Sequence, residues 1–124
     1  MPFGYHGKVL RVNLSTGELW TEEKDELFFR RYLGGGTLGA YYVLQHVKPG
    51  TDAFDPENVI VFGGSVVSGF GIAGFTRHSI TSVSPLTGGV ADSEGGGFWA
   101  RELKAAGFDA VVVQGKAPQP VYLW

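Results

Sequence analysis

Apolar and polar residues alternate along several short stretches of the chain, which is the pattern of strands that bury one face. Residues 8–14 and 18–22 alternate on either side of a Ser-Thr-Gly turn and predict a β-hairpin. A third alternating stretch, 78–84, is rich in β-branched residues, and a shorter one covers 90–93. Each of these stretches is predicted to form a strand.

Two continuous apolar runs, Val59–Phe62 and Ala110–Val113, have strand length and predict strands that are buried on both faces. The segment Val121–Trp124 is also apolar and rich in β-formers, and it predicts one more strand, interrupted where the chain stops.

Three segments carry apolar residues at helical spacing and predict short helices: 25–33, 38–46 and 98–106. Gly34 and Gly107 stand where the first and third helices should stop, and Thr37 stands where the second should be capped. Strands and helices do not alternate as regular βαβ units. About six strands and three short helices therefore predict an α+β fold, with residues 1–124 forming a single domain.

Composition and charge exclude several classes of function. The formal net charge is −2, and no run of Lys or Arg occurs, so nucleic acid is not an expected partner. The absence of cysteine excludes an iron–sulfur cluster bound by this chain through thiolates. No signal peptide and no stretch of about 20 apolar residues is found, so we expect a cytoplasmic protein without a membrane segment.

Twenty glycines are present, and ten of them lie between Gly63 and Gly97, which indicates tight turns or a close approach of the backbone to a ligand. The segment Asp92–Gly97 runs into the third predicted helix, and it is read either as a phosphate site at a helix start or as a tight turn capped by Ser93 or Glu94.

Other candidate residues remain open between a chemical and a structural role. Arg77 is either an anion-binding arginine or a surface arginine packed on a sheet edge. Asp92 and Glu94 share a strand face, so they either bind Mg²⁺ or are solvated. His6, His46 and His78 lack metal-ligand spacing, and no serine lies in a nucleophile motif, so no catalytic residue is predicted.

Three segments resemble the N-terminal domain of the aldehyde ferredoxin oxidoreductase family: GKVLRVNLSTGEL, RYLGGGTLGAYYVL and SPLTGGVADSEGGGFWARELKAAGFDAVVVQGKAPQPVYLW. The resemblance runs from Gly7 to Trp124. It implies an α+β fold with mixed or antiparallel β-sheets in a barrel-like arrangement of two intertwined repeats. It also implies a base that cradles a tungstopterin or molybdopterin cofactor.

In that family, later domains bind an iron–sulfur cluster, and the enzyme oxidises aldehydes to carboxylic acids with ferredoxin as electron acceptor. The resemblance implies that Arg77 lies between pterin and cluster. It also implies that Glu94, Gly95 and Gly96 contact the cofactor, with Glu94 beside a Mg²⁺ that bridges the pterin phosphates. The isolated chain is expected to bind no cofactor and to be inactive, because it needs the missing C-terminal domains or subunit.

The chain departs from the family pattern at Gly36, where an arginine is frequent, and at Glu94, where some members have asparagine. It also ends before the family domain does, so the predicted domain is incomplete. We therefore expect a homo-oligomer, in which a second copy takes the place of the missing repeat through Val121–Trp124 or a strand edge. The alternative function is a stand-alone binding or assembly module that keeps the fold without redox activity.

Overall fold

Six strands and three helices are formed by residues 4–124, which are the residues that the computed structural model describes. Their order is β1 (Lys8–Asn13), β2 (Glu18–Glu23), α1 (Glu26–Tyr32), α2 (Gly35–His46), β3 (Val59–Gly64), β4 (His78–Val83), β5 (Val90–Gly95), α3 (Trp99–Ala105) and β6 (Ala110–Gln114). The predicted α+β class is confirmed.

All six strands belong to one mixed sheet with the order β2-β1-β6-β3-β4-β5. Only β1 and β6 pair in parallel, and the other neighbours are antiparallel. The two apolar runs form β3 and β6 in the middle of the sheet, where strands have neighbours on both sides and tolerate few polar residues. The sheet is open, with β2 and β5 at its edges, so the expected barrel-like closure is not found among residues 4–124.

Helices α2 and α3 lie on opposite faces of the sheet. A Cβ added to Gly63 would meet the backbone of Gly35 in α2, whereas one added to Gly64 would meet Ala100 in α3. Because successive residues of a strand face opposite sides, these two contacts assign the helices to different faces. The face under α2 carries most of the core, which includes Val9, Val61, Val112, Leu38, Tyr42 and Val43.

Helix α1 closes the core through an aromatic cluster. Asp25 caps the helix by accepting a hydrogen bond from the Phe28 backbone N–H at 2.8 Å. Phe29 is 1% exposed and stacks on Tyr5, with ring centroids 4.6 Å apart. The helix ends at Leu33, which has a left-handed φ of 56°. Gly34 is the N-cap of α2, so only Leu33 and Gly34 separate the two helices.

Three local predictions are wrong or need adjustment. Helix α2 begins at Gly35, and Thr37 is not its cap, because the Thr37 hydroxyl instead donates to the carbonyl oxygens of Tyr32 and Gly34. Strand β5 continues to Gly95, two residues beyond the prediction. The segment Val121–Trp124 is not a strand: it pairs with neither β2 nor β5, the two edges of the sheet, and its four side chains are exposed.

None of the helices within residues 4–124 combines the length and apolar character that crossing a bilayer demands.

Candidate functional site

A cleft of about 460 Å³ opens on the α2 face of the sheet, beside the first turn of α2 and the edge strand β5. Its volume is in the range of about 300–1,000 Å³ that is typical of small-molecule sites. The lining residues are Gly34, Gly35, Gly36, Thr37 and Ala40 from the α2 segment and Ser65, Arg77, Ser79, Asp92 and Glu94 from the strands and the β3–β4 loop.

Glycines bring the start of α2 against the end of β3. Gly34 has a φ of 85°, and a Cβ there would overlap the Gly64 carbonyl oxygen and lie 3.0 Å from Ser65 Cα. Gly34 and Ser65 also form an isolated antiparallel bridge. No side chain caps α2 through a hydrogen bond, so the N–H groups of its first turn have no side-chain acceptor, although the Asp92 carboxylate lies against Gly36 in this turn.

Arg77 supplies a cation at the same place. The loop of residues 65–77 is held by Ser68, which is 1% exposed; its hydroxyl accepts from the Ser65 N–H and donates to the Arg77 carbonyl oxygen. The Arg77 Nη1 atom lies 3.9 Å from Glu94 Oε2. Both side chains are mostly exposed, so this pair is weak and leaves the guanidinium able to bind an anion.

Asp92 and Glu94 point into the cleft because they have the same parity on β5, as their spacing predicted. Asp92 is opposite Thr81 and Glu94 is opposite Ser79 in the β4–β5 ladder. The Thr81 hydroxyl donates to Asp92 Oδ1 at 2.9 Å. The cleft therefore combines backbone donors and one cation with two carboxylates.

The structure brings Arg77 and Glu94 together but leaves two other predicted site residues outside the cleft. Gly95 has the opposite parity, pairs with His78, and faces the α3 side of the sheet, where an added Cβ would meet the His78 ring at 2.9 Å. Gly96 lies beyond the end of β5 and is also not a lining residue. That Arg77, Glu94, Gly95 and Gly96 contact a cofactor stays a prediction.

Sequence reasoning missed the contribution of Gly34–Gly36 and Thr81 to this site. The triple glycine preceding Thr37 was a visible signal, but only the β3–α2 contact shows why side chains are excluded there. The alternation of Ser79 and Thr81 in a strand predicted that they share a face. It did not predict that α2 and Asp92 would lie beside them.

A second polar cluster surrounds Arg11 on the α2 face of β1. Its guanidinium donates to Glu22 at 3.0 Å and to Gln114 at 2.6 Å, and it lies over the rings of Trp20 and Tyr42. His46 Nε2 is 3.1 Å from Arg11 Nη1 and must accept, because arginine only donates. Both Nη atoms of Arg11 have partners, whereas its Nε is buried without a hydrogen bond among the described residues. We assign this cluster a structural role, because it joins β1, β2, β6 and α2.

The cofactor that the family resemblance implies fits the cleft. A phosphate needs N–H donors and positive charge, which the first turn of α2 and Arg77 supply. A pterin ring presents N–H groups, which the carboxylates can accept. No group of three or more His, Asp or Glu side chains within residues 4–124 could hold a metal ion. Mg²⁺ at Glu94 would therefore depend on phosphate oxygens for its other ligands.

Comparison with known proteins indicates the same family as the sequence motifs. The family described as "Aldehyde ferredoxin oxidoreductase, N-terminal domain" matches residues 9–124. The tungsten-containing aldehyde ferredoxin oxidoreductase of Pyrococcus horikoshii is 42% identical over 122 residues, covering 98% of this chain and 20% of that protein. The aliphatic sulfonate oxidoreductase, WOR-like subunit, of Pyrococcus furiosus is 33% identical, with the same two coverages.

Among solved structures, the active site complex BamBC of benzoyl coenzyme A reductase, in complex with 1,5 dienoyl-CoA, has a similar fold. The TM-score is 0.93 at 37% identity, with 98% of this chain and 18% of that chain covered. The chain thus spans about a fifth of the length of the curated relatives that it matches. The chain belongs to the aldehyde ferredoxin oxidoreductase family and corresponds to that family's N-terminal domain.

Proposed function

We propose that this chain is the cofactor-cradling N-terminal portion of an aldehyde:ferredoxin oxidoreductase-like enzyme. The observation that carries the proposal is the cleft in which the uncapped start of α2, Arg77 and Glu94 meet. The α2 N–H groups and Arg77 would bind the phosphates of the cofactor, and Glu94 would supply a carboxylate for Mg²⁺ beside those phosphates. Gly95 and Gly96 contribute to cofactor binding through backbone atoms.

Tungstopterin is the favoured cofactor over molybdopterin, because the aldehyde ferredoxin oxidoreductases at 37–42% identity are named as tungsten-containing enzymes. When bound, the metal–pterin group supplies the redox chemistry of aldehyde oxidation. The residues of this chain hold and orient that group, and none of them is proposed as a catalytic residue.

Catalysis requires domains or a subunit in addition to this chain. This chain has no cysteine, so the ligands of an iron–sulfur cluster and the path of electrons to ferredoxin belong to domains or a subunit outside it. The chain alone is therefore inactive, and the assembled enzyme works in the cytoplasm.

The sheet face opposite α2 is the surface on which additional protein packs. It carries Leu10, Phe62, Val111 and Val113, all half-buried, and Ile60, which is 43% exposed. Helix α3 covers this face beside β3 and the start of β4, where Trp99 contacts His78. Such apolar faces are usually covered in stable proteins. The remainder of the enzyme covers it in the assembly, and a second copy covers it in the isolated chain, which gives a homo-oligomer.

Co-expression with the remaining part of the enzyme in tungstate-containing medium tests this function. We expect the purified complex to contain tungsten and a fluorescent pterin after oxidation, and to reduce a viologen dye with an aldehyde. The chain alone should do neither. Arg77→Gln should lower tungsten content about tenfold at limiting cofactor, because a charge-assisted phosphate contact is lost.

Arg101→Gln is the matched control, since Arg101 is an equally exposed arginine that lies on α3, outside the cleft. An assembled complex that carries neither metal nor pterin would contradict the proposal and favour the alternative of a binding or assembly module without redox function.

A further inference from the structure

The loop between β3 and β4 exposes an apolar surface at its tip. Phe70, Ile72 and Phe75 are 50%, 59% and 39% exposed, and no residue from 65 to 76 carries a charge. These three residues are termed the loop tip. Single exposed apolar side chains are ordinary on a protein surface, whereas several on one uncharged loop are typical of an interaction site. The loop tip is therefore a candidate contact for another protein surface.

The base of the loop holds the loop tip in a defined shape. The Ser68 hydroxyl accepts from the Ser65 N–H at 3.0 Å and donates to the Arg77 carbonyl oxygen at 3.1 Å, so it ties the two ends of the loop together. Ser68 is 1% exposed, and a Cβ on the adjacent Gly69 would lie 3.6 Å from Lys104 Cβ in α3. Compact loops with joined ends are frequently functional. A preformed loop also loses little conformational entropy when it binds.

The loop tip stands beside the mouth of the cleft. Ser65 and Arg77, which precede and follow it in the chain, both line the cleft. The uncovered part of the sheet lies elsewhere, because the exposed Ile60 is near the start of β3 and the loop leaves from the end of that strand. Protein that closes the open side of the cleft therefore approaches the loop tip, whereas protein on the sheet face need not contact it.

Two observations indicate what covers the loop tip. The chain spans about a fifth of the length of its curated relatives, so most of the enzyme lies outside it. A two-fold contact between the loop tips of two copies would bring two clefts together. Each cleft is lined by the carboxylates of Asp92 and Glu94 and by the single cation Arg77, and this like net charge disfavours such a contact.

We propose that the loop tip is an anchor that inserts into an apolar recess of the part of the enzyme outside this chain. The proposal rests on one element of the proposed function, namely that further protein completes the enzyme. Phe70, Ile72 and Phe75 supply the contact area, because large apolar side chains in a fitted pocket dominate the affinity of an interface. The buried Ser68 hydroxyl preserves the shape in which the chain presents them.

The test compares two double variants of the tagged chain, each co-expressed with the remaining part of the enzyme. Phe70→Gln/Ile72→Gln should lower the amount of that part which co-purifies about tenfold or more. Leu27→Gln/Leu44→Gln is the matched control, since these leucines are 63% and 73% exposed on α1 and α2. The control should retain the remaining part as the wild-type chain does.

Hydroxyl-radical labelling of the wild-type protein gives a readout that does not depend on a variant folding. Phe70 and Phe75 should be labelled in the isolated chain, where they are exposed, and protected in the assembled complex. Self-association of the isolated chain, followed by light scattering, should be the same for Phe70→Gln/Ile72→Gln and for the wild-type chain.

The outcomes separate this inference from the proposed function. Equal recovery of the remaining part with the loop variant and with wild type would overturn the inference, as would equal labelling of the two phenylalanines in chain and complex. Loss of self-association in the loop variant, with an intact complex, would identify a second copy as the partner and also overturn it. A complex with a protected loop tip but with neither tungsten nor pterin would contradict only the cofactor role. A wild-type chain that retains no further protein would overturn both.

Discussion

At the scale of single residues, a buried ion pair between Asp109 and Lys104 holds the N-terminal segment against the rest of the fold. Asp109 and Lys104 have side chains that are 1% and 3% exposed, and their charged atoms are 2.5 Å apart. The Asp109 carboxylate also accepts from the backbone N–H groups of His6, Gly7 and Lys8, and Lys104 donates to the Gly4 carbonyl oxygen. Every polar atom of the pair therefore has a partner, which is the condition under which a buried pair is tolerated.

Asp109→Ala is expected to lower the free energy of unfolding by about 3–5 kcal/mol, because it leaves the Lys104 ammonium buried without its counter-charge. Chemical denaturation of the purified chain measures the change. Asp55→Ala, at an exposed loop position, should cost far less. A loss below about 1 kcal/mol for Asp109→Ala would mean that water or a rearranged lysine compensates for the missing carboxylate.

At the scale of elements, the packing of α2 on β1 and β2 depends on groups that titrate. Burial alone would raise the pKa of the Glu22 carboxyl, but the hydrogen bonds and charges of Lys24 and Arg11 outweigh it and hold the pKa below its usual range. Burial, together with the adjacent Arg11, lowers the pKa of His46. The neighbouring charges of Glu22 and Lys24 act on His46 in opposite directions and do not reverse this shift.

Both shifts have the same consequence for stability. A histidine with a lowered folded pKa stabilises the fold at pH values above its ordinary 6.5, and this stability is lost as the pH falls through the folded pKa. Glu22 stabilises above its ordinary 4.5 and loses its contribution as the pH falls through its lowered pKa. Protonated His46 also cannot accept from Arg11.

We therefore expect the free energy of unfolding to fall between pH 7 and pH 5, and to fall further below pH 4.5. His46→Gln should flatten the first part of this profile, since glutamine can accept from Arg11 without titrating. Denaturant titrations at each pH measure the profile, with His6→Gln as the control for an exposed histidine. An unchanged slope in His46→Gln would show that another group causes it.

At the scale of the whole molecule, the open sheet has one well-covered face and one poorly covered face. Helix α2 and the aromatic cluster of α1 cover the first, whereas α3, a helix of seven residues, covers only part of the second. Uncovered apolar area of this kind favours association with other protein.

We expect the isolated chain to self-associate in light scattering as its concentration is raised into the high micromolar range. Ile60→Lys should shift the distribution towards monomer, because it places a charge near the middle of the exposed face. Leu44→Lys, on the outer side of α2, replaces an even more exposed leucine and should leave association unchanged. A chain that remains monomeric at all concentrations would be a self-sufficient small domain.

The sequence by itself determined the kind and position of nearly all elements. Alternation at residues 8–22 and 78–84 specified half-buried strands, and the apolar runs at 59–62 and 110–113 specified central ones, because burial of one or both faces leaves a local pattern. The motif series from Gly7 onwards was specific enough to indicate the family, which the match to residues 9–124 confirms.

Only the tertiary structure decided what the cleft contains. That Thr81 holds Asp92 and that Gly36 makes room for it depend on pairing between β4 and β5 and on where α2 crosses them. The β4–β5 pairing and the opposite parity of Gly95 also place that glycine outside the cleft. The structure leaves Val121–Trp124 unpaired, although β2 and β5 are sheet edges. Local patterns specify which face of an element is buried, whereas neighbours distant in sequence are chosen by the packing of the whole fold.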